Sequence, residues 1–276
     1  MIEDHVSIRQ RMLGTALARL RDEAGLTTRV AAVKLGTSSA TVNRSENGRR
    51  PVSRSEVGAA MAVYQPNDDD RSCVLGMLDD QVGNGWWAPV RADRTHRMAV
   101  ALLEHRSRAV EFAPTVLPAL LRIPPYTRAL YRHPAEDAAK ELAGVSARQR
   151  GTSHLGRPLY TAILDEAVLR RPVGGPAVMA MQLRWLLSLL KDRRVVIHVV
   201  PFRRGAYRPT GAFTLYMPTT ARPVVHTHTH FTSGFLDDQA ALDAFESAVS
   251  ELIGLACDPH ESADLITRAA NAHERL

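Results

Sequence analysis

Three histidines, His226, His228 and His230, lie two residues apart in the stretch "PVVHTHTHF". On a β-strand successive side chains alternate faces, so all three imidazoles would point the same way. Imidazoles sharing a face can bind a transition metal. The spacing argues against that use. Neighbours two apart on a strand sit about 7 Å from one another, whereas a Zn–N bond is about 2.1 Å. Two could share an ion, three on one strand could hardly do so, and a further ligand would have to come from Asp237, Asp238, His198 or Glu166. A polar strand face or a buried hydrogen-bonding site is the better expectation, with a pH-sensitive interface behind it.

Other candidate chemistry is thinner. The sequence holds no G-x-S-x-G elbow, P-loop, G-x-G-x-x-G or H-E-x-x-H, so the common nucleophile, phosphate and zinc motifs are missing. Asp165 and Glu166 are adjacent acids that fit the head of a helical turn. Gly174, Gly175 and Pro176 fit a tight turn before a helix, and Trp86 with Trp87 fits an anchor for a linker. No catalytic residue, cofactor or metal is expected, and the chain is read as a non-enzyme.

Charge points to another chemistry. Between residues 28 and 54 stand six basic side chains (Arg29, Lys34, Arg44, Arg49, Arg50, Arg54) and one acid, Glu46, a local balance of 6 − 1 = +5. The whole 276-residue chain carries +6. The excess is therefore concentrated where a polyanion could be met.

The elements around that cluster are short helices punctuated by glycine. Residues 7–24 carry Ile8, Met12, Leu13, Leu17 and Leu20 at helical spacing. Thr27 can cap a helix that Gly36 ends, Ser38 one that Gly48 ends, and Ser53 a fourth through Tyr64. An acidic helix is expected from near Asp68. Further on, the pattern predicts helices over 94–111, 135–150 and 175–191. It predicts a short helix started by Pro124 or Pro125, and a final helix capped by Asp258. "LYTAILDEAV", "RVVIHVVP", "AFTLYMP" and "PVVHTHTHF" read as strands.

The expected class is α+β. An all-α helix-turn-helix domain over 1–80 leads through a linker, 81–93, to a mixed α+β domain over 94–276 with a small, mostly antiparallel sheet. Hydrophobic residues make up 45% and charged residues 23%, as in soluble globular proteins. No apolar run is long enough to span a bilayer, and "MIEDHVSIRQ" is not a secretion signal, so the cytoplasm is expected. Cys73 and Cys257, the two cysteines, suit buried packing.

A short second helix, a small polar turn and a third helix opening on hydroxyls are helix-turn-helix grammar. Such a unit lays the start of its third helix in the major groove. Ser39, Ala40, Asn43 and Arg44 would then reach base edges, Asn favouring adenine and Arg guanine. Thr28, Arg29, Ser38, Thr41, Arg49 and Arg54 would meet phosphates. The competing reading is a helical bundle with a solvated basic face.

"GLT…AAVKLGTSSATVNRSENGRRP" resembles the Xre, or Cro/repressor, family of regulators. Thr28, Ala31 and Ser45 depart from that pattern. Ser45 replaces an apolar core residue and is expected to loosen the third helix. The resemblance implies that Glu46 pairs with Arg21. "EHRSRAVEFAPTVLPALLRIPPYTRAL", "LDEAVLRRPVGG" and "DPHESADLI" resemble the domain that follows the helix-turn-helix in WhiJ-like, antitoxin-like actinobacterial regulators. Ala119 and Arg122 depart from that pattern, and His226 and His228 stand where it has an aromatic and a glutamate. This second resemblance implies a transcriptional regulator, often paired with a small BldB-like partner protein. A homodimer on double-stranded DNA is expected because one helix-turn-helix reads only a half-site, and control through the C-terminal domain is expected from a small partner protein or a ligand. The alternatives are an antitoxin-like protein that chiefly sequesters a partner, and a metal-dependent enzyme built on His226, His228 and His230.

Overall fold

A computed structural model describes residues 6–78, the backbone of 86–89, residues 107–131, 142–146, 160–193, 195–219, 221–228 and 232–276, and the isolated positions 100, 103 and 139. The chain forms two compact units, Met1–Val100 with Thr229–Asp238, and Ala101–His228 with Gln239–Leu276.

The first unit holds α1 (Ile8–Glu23), α2 (Thr28–Lys34), α3 (Ser39–Glu46), α4 (Arg54–Tyr64) and α5 (Asp68–Gly76). Ile8, Met12, Leu13, Leu17 and Leu20 form the buried stripe of α1, as their spacing requires. Thr27, Ser38 and Ser53 cap α2, α3 and α4, each accepting from a backbone N–H of the first turn. Ser53 and Glu56 complete a reciprocal capping box. The first three helices stop in one way. Leu26 N donates to Arg21 O, Thr37 N to Ala32 O, and Arg49 N to Arg44 O. The turn needs positive φ at the residue before each donor, and glycine adopts it without strain. At Gly48 (φ 62°) a side chain is doubly excluded, since a Cβ would lie 2.8 Å from Arg11 Cγ. The acidic helix is braced from α1, where Arg19 Nη2 donates to the buried Asp70 carboxylate at 2.5 Å. Trp86–Pro89, in the stretch expected to be linker, form β1, antiparallel to a strand from late in the chain, β7 (Thr232–Leu236).

The second unit is built on β2 (Ser107–Ala113), β3 (Tyr160–Asp165), β4 (Val196–Val200), β5 (Phe213–Pro218) and β6 (Val224–His228). Their order is β6-β5-β2-β3-β4. β2–β3 and β3–β4 run parallel, while β2–β5 and β5–β6 run antiparallel. With β1–β7, antiparallel pairs outnumber parallel ones three to two among the described strands. The fold is α+β, as the sequence pattern predicts.

Ala162, Ile163 and Leu164 on β3 are all 0% exposed, the sign of a parallel strand covered on both faces. Ala162 and Leu164 stand in register with Ile197 and Val199 of β4. That face packs beneath α8 (Pro176–Lys191) and α10 (Pro259–Glu274), in a cluster that includes Met179, Leu183, Leu186, Ile266, Ala269 and Ala270. Phe112 and Phe213 (ring centroids 6.0 Å apart) form an aromatic group with Phe245 of α9 (Gln239–Leu255), whose ring is 4.8 Å from Phe213.

The helix expected over 94–111 does not reach its end, because residues 107–113 form β2. Helical spacing was imitated there by "SRAVEFA", but every residue from Ala109 to Phe112 finds a partner on both β3 and β5. Tertiary pairing overrides the local pattern. Of the helix expected over 135–150, residues 142–146 are helical and most of the rest lies outside the described residues. Pro124 starts α6 (Pro124–Leu130), and Glu166 starts the short α7 (Glu166–Arg170) directly after β3.

The segment "LPALLRIPPY" is pinned by polar groups inside an apolar layer. Gln182, 0% exposed, accepts from Ile123 N at 2.8 Å and donates to Leu121 O at 2.9 Å. Arg122 Nε donates to Leu117 O, and Leu117 N donates to Tyr126 Oη. Gln182→Leu keeps the volume but leaves two buried backbone groups unpaired. At roughly 1–3 kcal/mol for each, it should lower the stability of the second unit by about 2–6 kcal/mol in denaturant unfolding. A loss under about 1 kcal/mol would show that the bridge does not matter.

Candidate nucleic-acid interface

α3 is held against α1 by contact between backbones and by one ion pair. A Cβ at Gly14 would lie 2.1 Å from Ser45 O, so glycine is what lets the two helices meet this closely. Beside that contact Arg21 grips Glu46 in a two-pronged pair, Nε to Oε1 at 2.7 Å and Nη2 to Oε2 at 3.0 Å. Arg21 Nη1 also donates to Leu26 O at 2.7 Å and Asp22 Oδ1 at 2.5 Å. The two side chains are 11% and 8% exposed. The bond from Glu46 raises the Arg21 pKa above the ordinary guanidinium value, against the opposing effect of burial.

Ser45, expected to loosen α3, has a polar partner there. It is 8% exposed and accepts from Arg50 Nε at 2.9 Å. Arg50 in turn pairs with Glu56 in the first turn of α4. The hydroxyl that replaces an apolar core residue is thus tied, through one arginine, to the cap of the next helix. Burial pushes the Glu56 carboxyl up, but the Ser53 backbone and hydroxyl and Arg50 hold it below its ordinary value. Next to them the Tyr64 phenol is pushed up to about 12 by burial and by the Glu46 carboxylate.

The opposite face of α3 is open. Ser39, Ala40, Asn43 and Arg44 are all exposed, as are Arg29, Ser38, Arg49 and Arg54, while Thr28 and Thr41 are half-buried. α2 packs directly on α3, which brings Thr28 and Arg29 onto the same small unit. Local bonds occupy some of these groups. Ser38 Oγ caps Thr41 N at 3.0 Å and meets Thr41 Oγ1 at 2.9 Å. Arg54 Nη2 reaches Leu78 O at 3.4 Å. Asn43 Oδ1 accepts from Asn47 Nδ2 at 3.1 Å, a bond that orients the Asn43 amide. Asn47 and the exposed Lys34 were missing from the expected contacts. Lys34 was visible in the charge count, and Asn47 lies one helical turn after Asn43.

The surface can therefore do two things. Exposed Arg29, Lys34, Arg44 and Arg49 supply positive charge, and Ser39, Asn43 and Arg44 supply directional donors and acceptors on one helix face. Arg21 and Arg50 neutralise the two nearby acids, the buried Glu46 and the partly exposed Glu56, so these do not cancel that charge.

Among the described residues no group of three or more His, Cys, Asp or Glu side chains could hold a metal ion. His226 and His228 lie on β6 with rings stacked 5.9 Å apart. His230 lies outside the described residues. The candidate further ligands have partners of their own. Asp237 accepts from Ile8 N, His198 Nδ1 bonds Cys257 O, and Glu166 is held by Arg170.

Architecture and site define a helix-turn-helix protein with a C-terminal α+β domain. Residues 12–72 match a family model described as a helix-turn-helix domain. Residues 98–268, well over half of the chain, match the model of a domain of unknown function, DUF5753, and the chain belongs to that family. No curated protein matches the sequence. Among solved structures, the chain is similar to TrmBL2, an archaeal chromatin protein described as showing a novel mode of DNA binding. That match has 8% identity and a TM-score of 0.31, and covers 88% of this chain and 98% of that one. A score that low supports no argument about fold or function. No helix among the described residues is long and apolar enough to cross a membrane.

Gly14→Ala should separate α1 from α3. Overpacking costs about 1–3 kcal/mol, partly offset by the better helix propensity of alanine. We expect a lower melting temperature of the first unit and weaker protection of the α3 amides in hydrogen exchange. Unchanged protection would show that the close approach is dispensable.

Proposed function

We propose that the chain is a DNA-binding transcriptional regulator of the Xre type that reads an operator with α3. The observation that carries this reading is the open face of α3. Ser39, Ala40, Asn43 and Arg44 are exposed on it, exposed Arg29 and Arg49 lie in its flanks, and the acid of the same helix is neutralised from behind by Arg21. Asn43 suits adenine, Arg44 suits guanine, and Arg29 and Arg49 suit phosphates. The resemblance to WhiJ-like actinobacterial regulators supports control through the second unit by a small partner protein. In this reading the protein acts in the cytoplasm as a homodimer on two half-sites about 34–36 Å apart or a multiple of that. It assigns the chain no reaction.

Fluorescence anisotropy with the DNA upstream of its own gene, against scrambled DNA of equal length at fixed salt, tests the reading. Specific binding should exceed non-specific by about a thousandfold or more. Arg44→Ala should relax preference at one base position by about 1–3 kcal/mol. Arg49→Ala should weaken all sequences alike and reduce the salt slope by about 1. Equal, salt-labile binding of both DNAs by the unaltered chain would sink the reading.

A further inference from the structure

Between α3 and α4, and reaching the turn between α2 and α3, lies a half-open cavity of about 90 Å³. Thr41, Val42 and Ser45 line it from α3, Ala59, Ala60 and Tyr64 from α4, Leu17 from α1, and Leu35 and Thr37 from the turn. Leu17, Val42 and Ala60 are at most 5% exposed, so its floor is apolar. We propose that this cavity is a binding site for a small uncharged molecule with a compact apolar body and one hydrogen-bond acceptor.

Each part of that description follows from the lining. The volume suits a body of about three or four heavy atoms, since an engineered apolar cavity of about 150 Å³ accommodates the six of benzene. Ser45 Oγ already accepts from Arg50 Nε, so what it can offer a ligand is its proton. The Tyr64 phenol, with its pKa near 12, keeps its proton at neutral pH and can donate it as well. Two hydroxyl donors over an apolar floor call for a carbonyl or ether oxygen. Glu46 and Glu56 also line the cavity, but Arg21 and Arg50 already occupy them, so an anion would lose its hydration there with no free cation to meet it. A cation would have to displace Arg21 from Glu46 or Arg50 from Glu56, which leaves a neutral ligand as the fit.

A molecule seated there touches Val42 and Ser45 on the inner side of the helix whose outer side carries Asn43 and Arg44. It would set the spacing of α3 from α4 and so alter how α3 meets DNA. That consequence rests on the DNA-binding reading, whereas occupancy of the cavity does not.

The test is a titration of the full-length, methyl-labelled chain with acetone, followed by NMR. The methyl signals of Val42, Val52 and Ala60, all in the lining, should shift saturably with a midpoint of about 10 mM, within what four heavy atoms can supply. Acetate should shift none of them. Ser45→Ile fills the cavity, and Ala59→Leu narrows its mouth from an exposed position without touching the core. Each should weaken acetone binding at least about tenfold, as expected when apolar atoms already occupy the site. No saturable shift in the unaltered chain, or equal shifts in the chain and in Ala59→Leu, would overturn the site. Operator affinity that stays unchanged at saturating acetone would overturn its link to α3. A chain that binds acetone but no operator would count against the DNA reading and for the cavity.

Discussion

Arg21 reaches across from α1 with both prongs of its guanidinium on Glu46, and the placement of α3 depends on that grip. The pair is buried on both sides. Burying two charges is costly unless the geometry is close to ideal and the remaining donors are satisfied. Here Nη1 is taken up by Leu26 O and Asp22, so the same side chain also fixes the turn that leads into α2. The contact between Gly14 and Ser45 O allows α1 and α3 to approach closely enough for the pair to form. Backbone closeness and charge pairing thus specify one register of α3 on α1, where apolar packing alone would tolerate several.

The basic residues of the first unit divide by what they hold. Arg19 braces α5 through Asp70, Arg21 holds α3, and Arg50 joins Ser45 to the cap of α4. Arg29, Lys34, Arg44 and Arg49 are exposed. Sequence counting gives all of these the same sign and weight, yet only the exposed ones contribute to the field outside the molecule. The two groups are complementary. The inner arginines neutralise the acids near α3, and the outer ones then face solvent without a compensating carboxylate behind them.

What was legible in the sequence was mostly local. Thr27, Ser38, Ser53 and Asp258 cap helices because a short side chain satisfies an orphan N–H within its own turn, and no tertiary contact is needed to see it. Gly36 and Gly48 end helices for an equally local reason. The Arg21–Glu46 pair was legible only through resemblance, since nothing in the spacing alone joins residues 25 apart. The reading failed where partners are remote. Ser45 looked like a defect because its rescue comes from Arg50, beyond the helix end. Residues 107–111 looked helical because their two partner strands lie more than fifty and more than a hundred positions later. That Trp86–Pro89 pairs with Thr232–Leu236 had no signal that one sequence could supply. For α3, exposure was foreseeable from polarity, but the Asn47 bond that orients Asn43 required the structure.

The second unit shows the same economy with its acids. Asp165 ends β3, and Val200, its partner in register, ends β4. In open α/β sheets the crevice beyond the carboxyl ends of parallel strands is where ligands commonly bind. Here that end is closed by the chain's own side chains. Asp165 Oδ1 caps α7 through Ala167 N at 2.7 Å, and Oδ2 accepts from Tyr207 Oη at 2.8 Å. Glu166 accepts from Arg170 and from Phe202 N, which anchors the segment leaving β4. Burial opposes its ionisation, yet those bonds hold its carboxyl below the ordinary value. A carboxylate stabilised in its charged form by fixed partners makes a poor proton shuttle, because taking a proton would break the bonds that position it. Asp165 thus acts as a cap and Glu166 as a brace, and the fold keeps Glu166 ionised by surrounding it with donors from the residues that the strand ends must hold in place.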